Sequence, residues 1–461
     1  MFSPDTYKKR RDELRKMLPG GIILFPGNAE VPFNYPDNTY AFRQDSTFLY
    51  YFGLQEPNLA AVMDLDDGSE CLFGDDSTMS DIIWMGQQPS MSDKAATIAV
   101  AQTQPYKVLA DVLQKAQKQG RIIHFLPPYR AETKIHLSEL LGIPHDQQKE
   151  RASVSLIKAV VKMRLSKEPQ EIEQIEAAIG TCYRMHTYVM KYASAGTVER
   201  ELSGIIEGIA LMKGGRVSFP VILSVNGQIL HNHYHGNTIR DGQLLLIDAG
   251  AETEMGYGGD ITRTIPVSGQ FDAHQKAIYN TVLQSNLKGI EMSRPGVAYC
   301  DVHLAAARII ADGLKDAGIM RGNMEDAVEQ GAHTLFFPHG LGHALGLDAH
   351  DMEGLGENYV GYDDTILRNN EPKLKPLRFG RRLEAGFVIT VEPGIYFIPA
   401  LIDQWETDKK FSQFINYDML KEYRTFGGIR IEDDILITDD GCRVLGQPIP
   451  KTVEEIGGMR E

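Results

Sequence analysis

The chain has 461 residues, 43% of them apolar, enough for about two or three domains with developed cores. Its 62 acidic residues outweigh 47 basic ones to a formal charge of −15, and no long basic run stands against that balance, so nucleic acid is not an expected partner. Cys71, Cys182, Cys300 and Cys442 lie far apart without CxxC spacing, the N-terminus has no signal-peptide core, and no run of about 18 apolar residues occurs; the expectation is a cytoplasmic protein with reduced thiols and no membrane partner.

Residues 1–163 read as an α/β domain. A basic helix over Thr6–Met17 ends at Pro19-Gly20-Gly21 and leads into a strand, Ile22–Phe25. Strands Ala60–Leu65 and Glu70–Phe73 flank the turn signal Asp66-Asp67-Gly68-Ser69. The aromatics of Phe42–Phe52 are dense enough to be core. No catalytic constellation appears in this part.

The domain boundary falls in Met163–Pro169, leaving 164–461 as the second domain. Ser166 is the expected N-cap of a helix whose apolar face is Ile172, Ile175, Ile179, Cys182 and Val189. A second helix, with Leu202, Ile205, Ile206 and Ile209 on one face, ends at Gly214-Gly215; a strand, Phe219–Val225, and a histidine-rich segment, LHNHYHG at 230–236, follow. A similar helix pair recurs through Ile278–Ile290 and Val302–Leu314. The repetition is weak internal symmetry, two helix-pair-plus-sheet halves between which a ligand site commonly falls.

Leu244–Val267 reads as a β-hairpin centred on Glu254, which makes Asp248 and Asp260 cross-strand partners with Cβ atoms about 4.5–5.5 Å apart. Either aspartate alone is an ordinary turn residue. Together they repel, and a divalent cation between them reverses the sign. In PHGLGH, His339 and His343 stand four apart among glycines that oppose a helix, and an extended backbone turns both the same way. FVITVEP is a buried strand that delivers Glu392; GIRIEDDILI alternates, with Arg430 and Glu432 on one face. Asp248, Asp260, Glu392 and Glu432 thus end or sit in apolar strands, where an unpaired charge costs on the order of several kcal/mol. Oxygen-rich ligation with one imidazole suits Mn²⁺, Fe²⁺, Co²⁺ or Zn²⁺ in a two-metal site better than a structural zinc.

The series DAG…DITRT, HGLGH, VEPG and GIRIEDD resembles the proline-specific metallopeptidases of the pita-bread fold, the aminopeptidase P and prolidase group, and FRQDSTFLYYFGLQEP resembles the non-catalytic N-terminal domain of that group. The resemblance implies an α+β chain: a creatinase-like α/β domain (1–163), then a pita-bread metallopeptidase domain (164–461). It implies that Asp248, Asp260, His343, Glu392 and Glu432 hold two divalent ions, manganese first and cobalt, zinc or iron as alternatives, with Asp260 and Glu432 bridging. His231, His339, His350 and Arg430 match further active-site positions. The implied reaction is hydrolysis of the Xaa-Pro bond at the N-terminus of peptides with proline second. In it Glu392 shuttles the proton to the leaving nitrogen, and His231 and His350 donate hydrogen bonds to substrate and intermediate. Arg430 either joins them or orients Glu432.

Arg378, in PLRFGRRLEAG, resembles a prolidase arginine that holds a dipeptide carboxylate, and the long segment between Glu392 and Gly428 is more like prolidases. Aminopeptidases of the group carry arginines nearby, so both substrate lengths stay open. A homo-oligomer, dimer or tetramer, is implied as well. The alternative is a non-peptidase of the same fold, a creatinase-like hydrolase or a protein-binding pseudo-enzyme, against which the intact ligand set argues.

Overall fold

The computed structural model describes Met1–Met459, and the chain divides into two units: Met1–Arg164 with Glu353–Tyr359, and Leu165–Met352 with Val360 onward. The first break lies one residue after the expected border. The assignment of Glu353–Tyr359 to the first unit has no counterpart in the linear reading.

In the first unit, strand Ile22–Pro26 pairs antiparallel with Ala60–Asp64 and parallel with Ile123–His124, inside a five-stranded mixed sheet. Helix Pro4–Lys16 starts with Ser3 accepting from the Thr6 N–H and proline in its first turn. The aromatic helix Ser46–Phe52 is buried throughout, and Gly53 closes it at φ 65°, where a Cβ would lie 2.2 Å from the Tyr7 ring.

The C-terminal carbonyls of that aromatic helix are capped by two fully buried arginines. Arg10 Nη1 donates to Tyr50 O at 3.0 Å and Arg11 Nη1 to Tyr51 O at 3.0 Å, while Arg11 also reaches Ile98 O and pairs through Nε with Glu70 at 2.7 Å. Cations here complement the helix dipole. Arg11→Ala, which orphans these acceptors, is expected to cost roughly 3–5 kcal/mol, read as a lower urea midpoint at unchanged m-value. A loss below about 1 kcal/mol shows that water takes over the capping.

The second unit contains two helix pairs, Pro169–Tyr192 with Glu199–Met212 and Ala273–Met292 with Tyr299–Asp316. Ser166 is not the cap of the first helix. Pro169 fits the opening turn, Glu168 and Glu171 form the capping box, and Ser166 bridges to Phe387.

After the first pair, Ile222–Ser224, Leu244–Asp248 and Thr262–Pro266 form a three-stranded antiparallel sheet. Asp248 faces Thr262, not Asp260. The turn runs from Thr253 to Tyr257, with Gly256 at φ 84°, so its centre is Met255 and the register moves by two residues. A two-residue displacement keeps every side chain on its face, and Asp260 stays on the side of Asp248.

After the second pair, Val388–Val391 pairs with Asp433–Ile437, and Gly394–Tyr396 with Gly428–Arg430, in one continuing register that sets Glu392 opposite Glu432. GIRIEDDILI is therefore two strands, broken at Ile431-Glu432. At the break the amides turn to other partners, Glu392 N–H to Leu341 O at 2.8 Å and Glu432 N–H to Thr262 O at 3.0 Å. Residues 341–345 run beside Val388–Val391, and Gly342 passes so close that a Cβ would lie 2.0 Å from Thr390 O. Leu245, Ile247, Val388, Ile389, Val391, Ile431 and Ile435, in and next to these strands, are buried. No helix among the described residues is long and apolar enough to cross a membrane.

Candidate active site

Two hairpins of the second unit, the second of them interrupted, converge on a cavity of about 650 Å³. All ten residues singled out in the sequence line it: Asp248, Asp260, His343, Glu392, Glu432, His231, His339, His350, Arg378 and Arg430. Phe219, Pro220, Ile222 and Leu230 give one wall an apolar surface.

At its floor, Asp260, His343 and Glu432 each offer a ligand atom, all within 4.8 Å of one another. His343 Nε2 lies 3.6 Å from Asp260 Oδ2 and 3.6 Å from Glu392 Oε1. The ring is set by its other nitrogen, Nδ1, which donates to Ala344 O at 3.1 Å and leaves the Nε2 lone pair for a ligand. His339 uses the same local device, Nδ1 to Gly340 O at 2.8 Å. Burial holds both imidazoles neutral: His343 is driven well below its usual range and His339 down to about 3.

Without a counter-ion the carboxylates cannot all ionise. Burial first, then mutual repulsion, pushes Asp260 and Glu392 well above the carboxylate range and Glu432 up to about 8. Asp248 Oδ2 accepts from Arg430 Nη2 at 2.5 Å, whereas its buried Oδ1 has no hydrogen-bond partner among the described residues. An orphaned carboxylate oxygen, crowded acids and an imidazole with a free Nε2 form a donor set that fits divalent cations.

Arg430 makes its bonds to Asp248, to Thr262 Oγ1 (3.1 Å) and to Tyr396 Oη (2.8 Å), and it reaches Glu432 only through the Thr262 hydroxyl, which donates to Glu432 Oε2 at 2.7 Å. Tyr396 is a residue that sequence reasoning missed. Its hydroxyl accepts from Arg430 and donates to His339 Nε2 at 2.8 Å. The alternation that carries Glu392 to Gly394 to Tyr396 was the available signal. Asp434, which accepts the Asp260 N–H at 2.9 Å, and His233, on the cavity wall, were missed too. His350 stacks on His343 with centroids 3.9 Å apart, and its Nδ1 accepts from Arg378 Nη1 at 3.3 Å.

Comparison with known proteins gives the same direction. Residues 173–439 match the model of metallopeptidase family M24, and residues 7–124 that of the aminopeptidase P N-terminal domain. A human Xaa-Pro dipeptidase is 33% identical over 95% of this chain and 88% of its own. A probable Xaa-Pro aminopeptidase of Podospora anserina is 32% identical over 95% and 93%. Among solved structures, Escherichia coli aminopeptidase P in complex with substrate superposes with a TM-score of 0.81 at 30% identity, covering 99% of this chain and 98% of that one. With this likeness running through both units, the chain belongs to metallopeptidase family M24 and is a metal-dependent Xaa-Pro exopeptidase.

Proposed function

We propose that this exopeptidase is directed to Xaa-Pro dipeptides, and that Asp248, Asp260, His343, Glu392 and Glu432 would hold two divalent ions, manganese foremost. The observation that carries the length preference is an exposed arginine, Arg378, on the wall of the carboxylate-lined cavity and bonded to His350.

Bound divalent ions supply Lewis acidity, polarising a carbonyl and making water a nucleophile near neutral pH. The remaining work falls to side chains. Glu392, beside His343 and 3.7 Å from His339, takes the proton and passes it to the leaving proline nitrogen. His231 and His350 hold the substrate carbonyl and the charge that develops on it. Arg430, locked by three partners, fixes Asp248. The Arg378 fork receives the carboxylate that directly follows proline in a dipeptide.

Arg378→Ala is expected to weaken kcat/KM for an Xaa-Pro dipeptide by roughly 2–5 kcal/mol, the scale for a charge pair that the bound substrate itself desolvates, and for an Xaa-Pro-Yaa tripeptide much less. Equal losses remove Arg378 as the length gauge. A parent enzyme that prefers the tripeptide moves the assignment to aminopeptidase P, the activity named for the structural neighbours.

A cytoplasmic homo-oligomer completes this reading. It is supported by free thiols at all four cysteines and by helix Met79–Met85, whose Ile83 and Trp84 are 72% and 82% exposed.

A further inference from the structure

Glu199 lies in the first turn of helix Glu199–Met212, is fully buried, and does not line the cavity. Its carboxylate collects three N–H donors: Val225 N–H at 2.8 Å on Oε1, and Asn237 N–H at 3.1 Å and Asn237 Nδ2 at 2.9 Å on Oε2. These donors are the two ends of the segment 225–237, between which Leu230, His231 and His233 face the cavity. The helix returns the contact, its Glu199 and Arg200 amides donating to Asn237 O and His235 O at 3.0 Å each.

Capping does not explain Glu199. The backbone N–H of Val198, just before the helix, already has the Glu201 carboxylate at 3.0 Å. Inside the segment a further tie comes from Asn232, whose Nδ2 donates to Ser224 Oγ at 2.9 Å and whose Oδ1 accepts the Tyr234 N–H at 3.0 Å. Leu230 packs against the buried cluster of Ile222, Leu246 and Tyr396, the tyrosine bonded to His339 and Arg430. His231 itself is solvent-exposed.

We propose that Glu199 is a positioning residue for hydrolysis: its buried carboxylate clasps both ends of the 225–237 segment and so holds His231 at the substrate. The inference rests on the reading of His231 as a substrate contact. A carboxylate is required because both of its oxygens accept; a glutamine would turn an amide N–H toward an N–H donor.

The test uses the full-length, manganese-loaded protein. In Glu199→Gln, amide hydrogen exchange over 226–236 is expected to quicken about tenfold or more, kcat/KM for an Xaa-Pro peptide to fall about 10–100-fold, and bound metal per chain to stay at the parent value. Glu199→Gln with His231→Ala is expected to fall no further than His231→Ala alone. Asn237→Ala, which removes one of the three donors and leaves the carboxylate, gives the same pattern in weaker form if the glutamine variant does not fold. Unchanged exchange, or activity losses that multiply in the double variant, overturns the clasp. His231→Ala at parent activity overturns the substrate-contact reading of His231, and the exchange measurement still decides whether Glu199 holds the segment.

Discussion

Asp260→Asn is expected to strip the purified protein of bound metal and to lower kcat/KM by more than about a hundredfold, since even residues that only orient a ligand are worth about 10–100-fold. The side chain keeps its shape and loses its charge. Its backbone N–H remains bonded to Asp434 Oδ2 at 2.9 Å, and the strand that follows it pairs with Leu244–Asp248 through backbone groups, so the fold survives. In the metal-free state the substitution removes one member of a set of buried, repelling acids, so the metal-free variant should melt no lower than the metal-free parent near pH 8. Elemental analysis per chain, activity on an Xaa-Pro peptide and thermal melts decide the matter. A variant with full activity and a full metal complement removes Asp260 from the centre.

The second large effect is on stability. Asp260, Glu392, Glu432 and Asp434 all have folded-state pKa values above their unfolded ones, burial being the first cause and neighbouring carboxylates adding to it. The native state therefore holds protons that the unfolded chain has released. Their contribution is complete below the unfolded carboxylate range and is lost as pH rises through the folded values, about 8 for Glu432. His186, His303, His333 and His339 work in the opposite sense. Burial lowers each, so their contribution is complete above the unfolded histidine value near 6.5 and is lost as pH falls.

Chelated protein is accordingly expected to be most stable at mildly acidic pH, at or below the unfolded histidine value near 6.5, and to lose on the order of 1–3 kcal/mol per pH unit as pH rises above it. Metal held by ionised carboxylates removes that alkaline decline. Urea midpoints between pH 6 and 9, with and without Mn²⁺, test this; an alkaline limb that is the same in both rules out the carboxylate cluster as its source.

The reacting end of the molecule was the legible one, for a physical reason. Taken singly, Asp248, Glu392 and Glu432 are ordinary turn or strand-end residues, but several carboxylates ending apolar strands of one chain carry a cost that only a shared partner removes, and the family motifs gather them. What surrounds them was hidden in ordinary residue types. Tyr396 in a strand looks like core, Glu199 in a first helical turn looks like a dipole partner, and Asp434 is one of three consecutive acids whose directions only register can separate. In the first unit, KKRRDELRK looks like a solvated basic helix, yet Arg10 and Arg11 are buried caps, a distinction that depends on carbonyls about forty residues away. The hairpin centre was misplaced by one residue because a turn built on Thr253 and Gly256 lacks a strong dipeptide signal; parity preserved the conclusion drawn from it.

The break in the second hairpin joins partners far apart in the chain: Thr262 meets Glu432 across 170 residues, and Asp248 meets Arg430 across 182. Loop closure over such spans comes late, because its entropic cost is met only after the local helices and turns exist. Neither half of the unit contains a site of its own. A nascent or partly refolded chain thus exposes its acids to water singly, where each ionises at little cost, and the crowding that makes them compete for protons or cations arises only when the last long loop closes. Affinity for metal is in this sense a property of the finished topology, and a cation arriving then stabilises the one arrangement in which all of these side chains meet.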